Sequence, residues 1–182
     1  MRLRTTLHAL FAAALATGAS SALACSTDVA PREADVLLST RVADAAPRGL
    51  RRSDLEALPP RSIAMRRTIE RDGTRDEQML NYGGWLLRDV LTLAGFDEAG
   101  RHDTRTWVIE AVATDGYRAV FSWGELYNSA LGDQVYVIDS QDGRPLDARA
   151  GPLALRSLAD RRPGPRHVRN LCALSLWPLP AR

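Results

Sequence analysis

Arginine is the residue type in this sequence with the clearest capacity for chemistry. All 24 basic residues are arginines, because the chain contains no lysine, and several of them fall between positions 156 and 169. A guanidinium is always charged and presents a planar fork of donors that matches phosphate and carboxylate groups. Any anion site in this protein must therefore be built from arginine. Without a ligand, the same stretch would be a solvated loop and strand edge.

These arginines do not give the chain a general positive charge. The sequence has 24 basic and 22 acidic residues, and Arg2 and Arg4 account for the excess. Residues 25–182 are therefore neutral overall and create no field that would attract nucleic acid. We expect a local anion site at most, and no nucleic-acid partner.

Other familiar chemistries lack their residues. Beyond residue 24 the histidines are His102 and His167, and the sequence has no paired Cys or His spacing typical of a metal site. It has no Gly-x-Ser-x-Gly nucleophile elbow, and a Gly-x-x-x-x-Gly-Lys phosphate loop is impossible without lysine. The sequence therefore predicts neither a side-chain metal site nor a serine hydrolase nor a P-loop enzyme.

The first 24 residues predict export. Arg2 and Arg4 begin the segment, a short Ala-rich apolar run follows, and Ala22-Leu23-Ala24 provides a small-x-small cleavage site. The run is too short to cross a bilayer, so we expect a periplasmic or secreted mature chain without a transmembrane segment. Cleavage would leave Cys25 at the N-terminus, where a lipid anchor is an alternative that Leu23 disfavours.

The two cysteines leave two alternatives open. Cys25 and Cys172 could pair as a disulfide in an oxidising compartment. Alternatively, Cys172 could stay free and pack as a small apolar side chain. The sequence alone does not decide between them.

Local patterns predict an α+β domain over residues 51–182, preceded by a flexible leader over residues 25–50. Two capping boxes, which start at Ser53 and Ser122, predict short helices. Residues 84–94 have an amphipathic helical pattern that ends at Gly95. Apolar or alternating runs predict strands near residues 61–70, 107–113, 117–122, 135–139, 153–158 and 168–176, and a short strand over residues 36–38 of the leader. Turns are predicted at Asp72-Gly73 and at Asp115-Gly116, where the second turn joins two strands in a hairpin. Several strands with one longer helix are typical of the α+β class.

Six short motifs follow one another in a particular order. They are Ser53-Asp54-Leu55-Glu56-Ala57-Leu58-Pro59, Tyr82-Gly83-Gly84-Trp85-Leu86-Leu87-Arg88-Asp89-Val90-Leu91, Asp115-Gly116-Tyr117, Asp142-Gly143-Arg144-Pro145-Leu146, Gly151-Pro152-Leu153 and Arg166-His167-Val168-Arg169-Asn170-Leu171. This ordered set resembles the oxidoreductase molybdopterin-binding domain of the sulfite oxidase family, over a length of about one domain. The resemblance implies a mixed, barrel-like β-sheet fold that holds molybdenum on a pterin dithiolene in a cleft.

The resemblance also implies which residues line that cleft. They are Asp115, Gly116 and Tyr117 on one wall, and Arg156, Arg166, Arg169 and Asn170 at the polar end that receives the pterin phosphate. Planar, multi-donor arginines suit a phosphate and a fused polar ring. Molybdopterin is therefore the cofactor that the resemblance implies.

Two departures from the family pattern argue against its catalysis. Catalytic members supply a cysteine thiolate to molybdenum from the region that corresponds to residues 63–82, which contains no cysteine here. The family's Gly-Pro-Leu is usually followed by arginine, and here Ala154 follows it. Loss of a soft, anionic ligand changes the electronic character of the metal. We therefore do not expect molybdenum.

Three hypotheses remain. We favour an exported, non-catalytic binding or accessory module that retains the cleft for a small molecule or a periplasmic partner protein. The alternative is a molybdopterin-dependent oxidoreductase with a non-cysteine ligand set, for example with Glu70 near the metal. The third is a small accessory domain whose cleft has filled in, which packed side chains around Tyr117 and Arg166 would indicate.

Overall fold

The computed structural model describes Cys25 and residues 35–96, 102–162 and 164–180. The predicted signal peptide, residues 1–24, lies outside the described residues. The elements within the described residues are, in chain order, β1 (Val36–Val42), β2 (Arg48–Arg51), α1 (Arg52–Glu56), β3 (Arg61–Arg71), β4 (Thr74–Leu86), α2 (Leu87–Leu93), a 3-10 helix (His102–Thr106), β5 (Trp107–Ala113), β6 (Arg118–Ser122), α3 (Trp123–Tyr127), a second 3-10 helix (Ala130–Gln134), β7 (Val135–Gln141), β8 (Arg144–Pro145), β9 (Ala154–Ser157) and β10 (Leu171–Pro178). None of these helices has the length and apolar character needed to cross a membrane.

The strands form two sheets that share one core. The first has the order β2-β1-β10-β5-β6, and the second has the order β3-β4-β7-β8 with β9 also paired to β7. Buried side chains of both sheets, such as Ile109 and Leu174 from the first and Val137 and Leu155 from the second, belong to one apolar cluster. The fold is mostly β with a few short helices, which agrees only loosely with the expected α+β class. In the described part of the chain the sheets stay open, so the expected barrel-like closure is not found.

Residues 36–50 belong to the first sheet, so the prediction of a flexible leader is wrong for that part. β1 pairs in parallel with β10 and antiparallel with β2. Leu38 and Leu50 are fully buried, and withdrawing each from water contributes about 2 kcal/mol. The sequence indicated only a short strand over residues 36–38, because the central partner of β1 is the last strand of the chain.

The structure pairs the two cysteines. Cys25 and Cys172 form a disulfide whose Cα atoms lie 5.9 Å apart, within the usual range. The bond fastens residue 25 to β10, the strand beside β1. The Cys25 sulfur in this disulfide is not available for a lipid thioether.

Two local predictions are confirmed at the β5–β6 hairpin and the helix after it. The strands pair across the Asp115-Gly116 turn. Ser122 Oγ accepts a hydrogen bond from the Glu125 amide at 3.2 Å, and the Glu125 carboxylate accepts one from the Ser122 amide at 2.8 Å. These reciprocal bonds satisfy two otherwise unpaired donors and start α3 directly from the end of β6.

The helix predicted from residue 84 begins later, at Leu87. Residues 84–86 instead complete β4, which shifts its register against β7 between Gly83 and Gly84. A Cβ atom at Gly84 would collide with the carbonyl oxygen of Val137 and lie 2.6 Å from the Cα atom of Ile138. The glycine therefore permits a close backbone approach within the sheet. The predicted helix end at Gly95 is confirmed by its φ of 96°.

The β3–β4 hairpin extends past the sheet as an arm. β3 pairs with β4 along its whole length, whereas β4 pairs with β7 only from Tyr82 onward. Side chains in the distal part are mostly exposed, including Met79 at 58%. We call residues 64–79 the arm. Its inner face brings Arg67 to the site described next.

Candidate functional site

The site begins where residues 166–169 run beside β9. Leu155 and Val168 exchange two backbone hydrogen bonds, of 2.7 and 3.1 Å, in an antiparallel bridge. This register sets Arg156 opposite His167. Because side chains alternate along extended chains, both point away from the face that buries Leu155 and Val168.

The same register sets Ala154 opposite Arg169. Both residues line the cleft that this face borders. Ala154 is the position at which the family pattern has arginine. The departure therefore falls inside the cleft, where a small buried side chain leaves room beside Arg169.

The cleft has a volume of about 610 Å³. Its walls come from the arm, β4, β7, the turn after β7, the loop before β9, and β9 itself. The charged residues that line it are Arg67, Arg144, Arg149, Arg156 and Arg169, with Asp142 and Asp147. Neither Tyr117 nor Arg166, the residues around which the filled-in hypothesis expects packed side chains, lines this cleft.

The five cleft arginines have in common that none of them is paired with a carboxylate among the described residues. Among the described residues, seven arginines elsewhere form ion pairs with carboxylates, whereas none of the five in the cleft does. The two cleft aspartates, each of which holds a turn, offset only part of this charge, since the lining has five arginines against two aspartates. Asp142 Oδ1 accepts from the Asn81 amide at 2.9 Å, and Asp147 Oδ1 accepts from the Ala150 amide at 2.7 Å. The cleft therefore carries uncompensated positive charge.

Arg156 is the central arginine of the cleft. Its Nη2 donates to the Tyr82 hydroxyl at 3.0 Å, and its Cζ lies 5.1 Å from the centroid of the Tyr82 ring. Its Nε is buried and has no hydrogen-bond partner among the described residues. Burial lowers the pKa of Arg156, Tyr82 opposes this effect, and the nearby charges of Arg169 and Arg67 lower the pKa further. An anion would supply both the missing acceptor and the missing charge.

A smaller cleft of about 280 Å³ adjoins the first, because His167 and Arg169 line both. Asp115 and Tyr117 also line it, as members of the turn that includes Gly116. Asp115 Oδ1 accepts from the Tyr117 amide at 2.9 Å, and the Tyr117 hydroxyl donates to the Pro165 carbonyl at 2.6 Å. The structure thus brings the turn beside Arg169, but in a separate compartment from Arg156.

Arg166 is not among the residues that line either cleft. It lies in a turn in which the His167 amide donates to the Gly164 carbonyl at 3.1 Å. Its guanidinium forms ion pairs with Asp160 and Glu125, and its Cζ lies 4.9 Å from the centroid of the Phe121 ring. The hydrogen bond with Asp160 raises the pKa of Arg166. The residue links the loop before it to α3 and does not face the cleft.

We expect Arg166→Met to lower the free energy of unfolding by about 2–3 kcal/mol, because it leaves the largely buried Asp160 carboxylate without its partner. Chemical denaturation at pH 7 measures the change. Arg162→Met is the matched control, since Arg162 is exposed on the same loop. Equal stability of the two variants would contradict a structural role for Arg166.

Asn170 holds the loop that carries Arg149. It has a φ of 48°, its Nδ2 donates to the Arg149 carbonyl at 3.0 Å, and its amide donates to the Ala150 carbonyl at 2.6 Å. It is not among the lining residues of either cleft. Its contribution is to position Arg149 rather than to contact a ligand.

The sequence-based set of site residues omitted several residues that line the larger cleft. These are Arg67, Tyr82, Arg144, Arg149 and His167. Three of them, Tyr82, Arg144 and His167, stand within the motifs that carry the family resemblance. Arg67 and Arg149 had no such signal, because their positions depend on the arm and on the loop that Asn170 holds.

His167 is half-buried among three guanidiniums. Burial is the largest cause that lowers the pKa of its imidazole, and together with the charges of Arg156, Arg169 and Arg67, in that order of importance, it brings the pKa to about 4. The side chain is therefore neutral near pH 7. The three guanidiniums around it are charged, and the His167 imidazole is not.

Protonation of His167 should affect stability between pH 7 and pH 4. In this window the unfolded chain binds a proton that the folded chain does not, so stability falls as the pH falls. After allowance for solvent exposure, we expect the wild type to lose about 1–2 kcal/mol more than His167→Gln between pH 7 and pH 4.5. Denaturation in a buffer without sulfate or phosphate measures this difference. Parallel losses in the two proteins would contradict the low pKa.

Comparison with known proteins finds a likeness among solved structures. No protein-family model matches this sequence, and no curated protein matches it significantly. Among solved structures, the chain resembles part of the sulfane dehydrogenase SoxCD from Paracoccus pantotrophus, with a TM-score of 0.57 and 14% sequence identity. The match covers 82% of this chain but only 40% of that chain. At this identity the likeness shows the fold alone, and it is compatible with a sulfite-oxidase-type fold.

Proposed function

We propose that this chain is an exported binding module with a sulfite-oxidase-type molybdopterin-binding fold, and that its arginine-lined cleft binds an anionic small molecule without catalysing oxygen-atom transfer. The fold likeness to part of a dehydrogenase and the ordered sequence motifs support the fold assignment. The two departures from the family pattern support the non-catalytic role.

One observation carries the proposal, namely that the five cleft arginines have no carboxylate partner among the described residues. Bringing several guanidiniums together in a partly desolvated cleft costs free energy through mutual repulsion. A bound anion converts this cost into a binding contribution, since each charge-assisted hydrogen bond contributes about 1.5–3 kcal/mol. Uncompensated charge in a cleft is typical of ligand sites.

Molybdopterin fits this cleft only in part. Its phosphate and polar ring suit the arginines, and the unsatisfied Nε of Arg156 is a donor that a phosphate oxygen could accept from. The metal does not fit, because the lining side chains include no thiolate and the two cysteines are bonded to each other. The described residues also hold no cluster of three or more metal-ligating side chains. The proposed function therefore involves no reaction at molybdenum.

The alternative function is a molybdopterin-dependent oxidoreductase whose metal has oxygen ligands. The observation in its favour is that two carboxylates, those of Asp142 and Asp147, line the cleft. Glu70 does not line the cleft, since its even position on β3 turns it to the opposite face from Arg67. The test is a variant in which both aspartates are replaced by asparagine. If this variant retained bound molybdenum, the two aspartates would not be its ligands. The binding of a periplasmic partner protein, which the sequence analysis also considered, stays a prediction.

Titration of the mature protein with inorganic pyrophosphate at low ionic strength tests the proposal. Calorimetry should show saturable binding with a Kd below about 1 mM that weakens as salt is added, because the contacts are ionic. The Arg162→Met variant should bind equally well. Lack of saturable binding, or binding that is insensitive to salt, would overturn the proposal.

A further inference from the structure

His167 occupies the junction of the two clefts. It lies opposite Arg156 across the bridge between β9 and residues 166–169, and it lines both the larger and the smaller cavity. The imidazole is within electrostatic reach of Arg156, Arg169 and Arg67. An anion held between these guanidiniums would therefore also lie near the His167 ring.

The charged groups around His167 come from every neighbouring element. β9 contributes Arg156, the arm contributes Arg67, and the segment of His167 itself contributes Arg169. Tyr82 on β4 faces the site through its hydroxyl contact with Arg156. The other charged residues that line the two cavities are Arg144, Arg149, Asp115, Asp142 and Asp147.

Carboxylates do not explain the state of the ring. Asp115 accepts a hydrogen bond from the Tyr117 amide, and the two aspartates of the larger cleft each accept from a backbone amide. Burial is the largest cause of the low pKa of His167, and the charges of Arg156, Arg169 and Arg67 add to it. Burial and the positive field of the ligand-free cleft together keep the imidazole neutral.

We propose that the cleft binds an oxyanion of the sulfate or phosphate class and that binding draws a proton onto His167, so that affinity rises as the pH falls. This inference rests on the proposed function and adds the ligand class and its regulation. The bound anion cancels the field of the guanidiniums and gives an imidazolium a hydrogen-bond acceptor. Both effects favour the charged ring. The proton comes from solvent, and no covalent bond is made or broken.

The size of the effect follows from linkage. If the complex restores the pKa of His167 to its ordinary value of about 6.5, affinity at pH 5.5 is about tenfold higher than at pH 7.5. Close to one proton is then taken up for each anion bound at the lower pH. Above pH 7.5 the affinity should level off, because the ring is neutral in both states.

Inorganic sulfate is the suitable probe, because it does not titrate between pH 5 and 8. Calorimetric titrations at pH 5.5 and pH 7.5, each in two buffers of different ionisation enthalpy, give the affinity and the number of protons taken up. Phenyl sulfate is titrated in parallel. If the natural ligand is an oxyanion carried on a larger molecule, phenyl sulfate binds more tightly than free sulfate; if it is the free ion, it does not. The inference requires that the affinity for both compounds rises as the pH falls.

The expected wild-type result is about tenfold tighter binding at pH 5.5, with proton uptake. His167→Gln retains hydrogen-bonding groups but cannot become charged, so its affinity should be the same at both pH values. His102→Gln is the matched control for the other histidine and should behave as the wild type. Equal wild-type affinity at both pH values, or a pH dependence that His167→Gln retains, would overturn this inference and leave the anion site standing. Absence of sulfate binding at both pH values would also overturn this inference, and absence of pyrophosphate binding as well would overturn the proposed function.

Discussion

We expect Arg156→Met to weaken anion binding by about 30-fold or more, a loss of about 2 kcal/mol. Arg156 is the half-buried guanidinium at the centre of the cleft, and it carries the donor that has no partner among the described residues. The free energy of unfolding should stay the same or increase, because the substitution removes repulsion with Arg169 and Arg67. Calorimetry with pyrophosphate and chemical denaturation measure the two quantities separately.

Arg162→Met again serves as the matched control, because it removes one exposed arginine from outside the cleft. It should preserve both affinity and stability. A variant at Arg156 that binds as well as this control would contradict the central position of Arg156. A variant at Arg156 that unfolds would mean that the residue is structural, like Arg166.

We expect Gly84→Ala to lower the free energy of unfolding by about 3 kcal/mol or more, because a methyl group there meets backbone rather than a movable side chain. The added Cβ would collide with the Val137 carbonyl and approach the Cα atom of Ile138 to 2.6 Å. Relief requires β4 and β7 to separate at their register shift. Thermal and chemical denaturation measure the loss.

Separation of β4 and β7 would also move two lining residues of the cleft, Tyr82 on β4 and Ile138 on β7. We therefore expect a weaker anion affinity in whatever fraction of Gly84→Ala remains folded. Gly124→Ala is the matched control, because Gly124 lies in α3 and a Cβ there has no contact closer than 4.0 Å. Helix propensity makes that control neutral or more stable by about 0.5–1 kcal/mol. Similar stability of the two variants would contradict the close packing at Gly84.

Local sequence signals predicted those elements whose determinants lie within a few residues of one another. The Asp115-Gly116 turn sets the β5–β6 hairpin, and the capping box at Ser122 starts α3. Asp72 and Gly73 both adopt positive φ and close the β3–β4 hairpin, as the sequence predicted. In each case the chemistry of a turn or cap is sufficient to specify the structure.

Elements that depend on distant partners were not predictable in this way. β1 is stabilised by β10 at the other end of the chain, so a stretch of mixed composition looked like a mobile leader. Residues 84–86 appeared helical because they precede an amphipathic segment, but pairing with β7 keeps them extended. Tertiary contacts override local propensity in both cases.

The same distinction applies to the candidate site. The sequence pointed to Arg156 and Arg169, and the structure places both in one cleft. It also pointed to Arg166, which lies in the turn before the bridge and pairs with Asp160 and Glu125 instead of facing the cleft. Arg67 was invisible to sequence reasoning, because the length and register of the arm decide which of its side chains reaches the cleft.

The molybdenum and pterin content of the mature protein, purified from the periplasm of a molybdenum-replete host, tests the central claim most directly. Elemental analysis gives the metal, and fluorescence of the oxidised pterin gives the organic part. We predict that molybdenum does not copurify in stoichiometric amount, whether or not a pterin occupies the arginine-lined cleft. Molybdenum and pterin both near one per chain, together with oxidation or reduction of a substrate, would contradict the account.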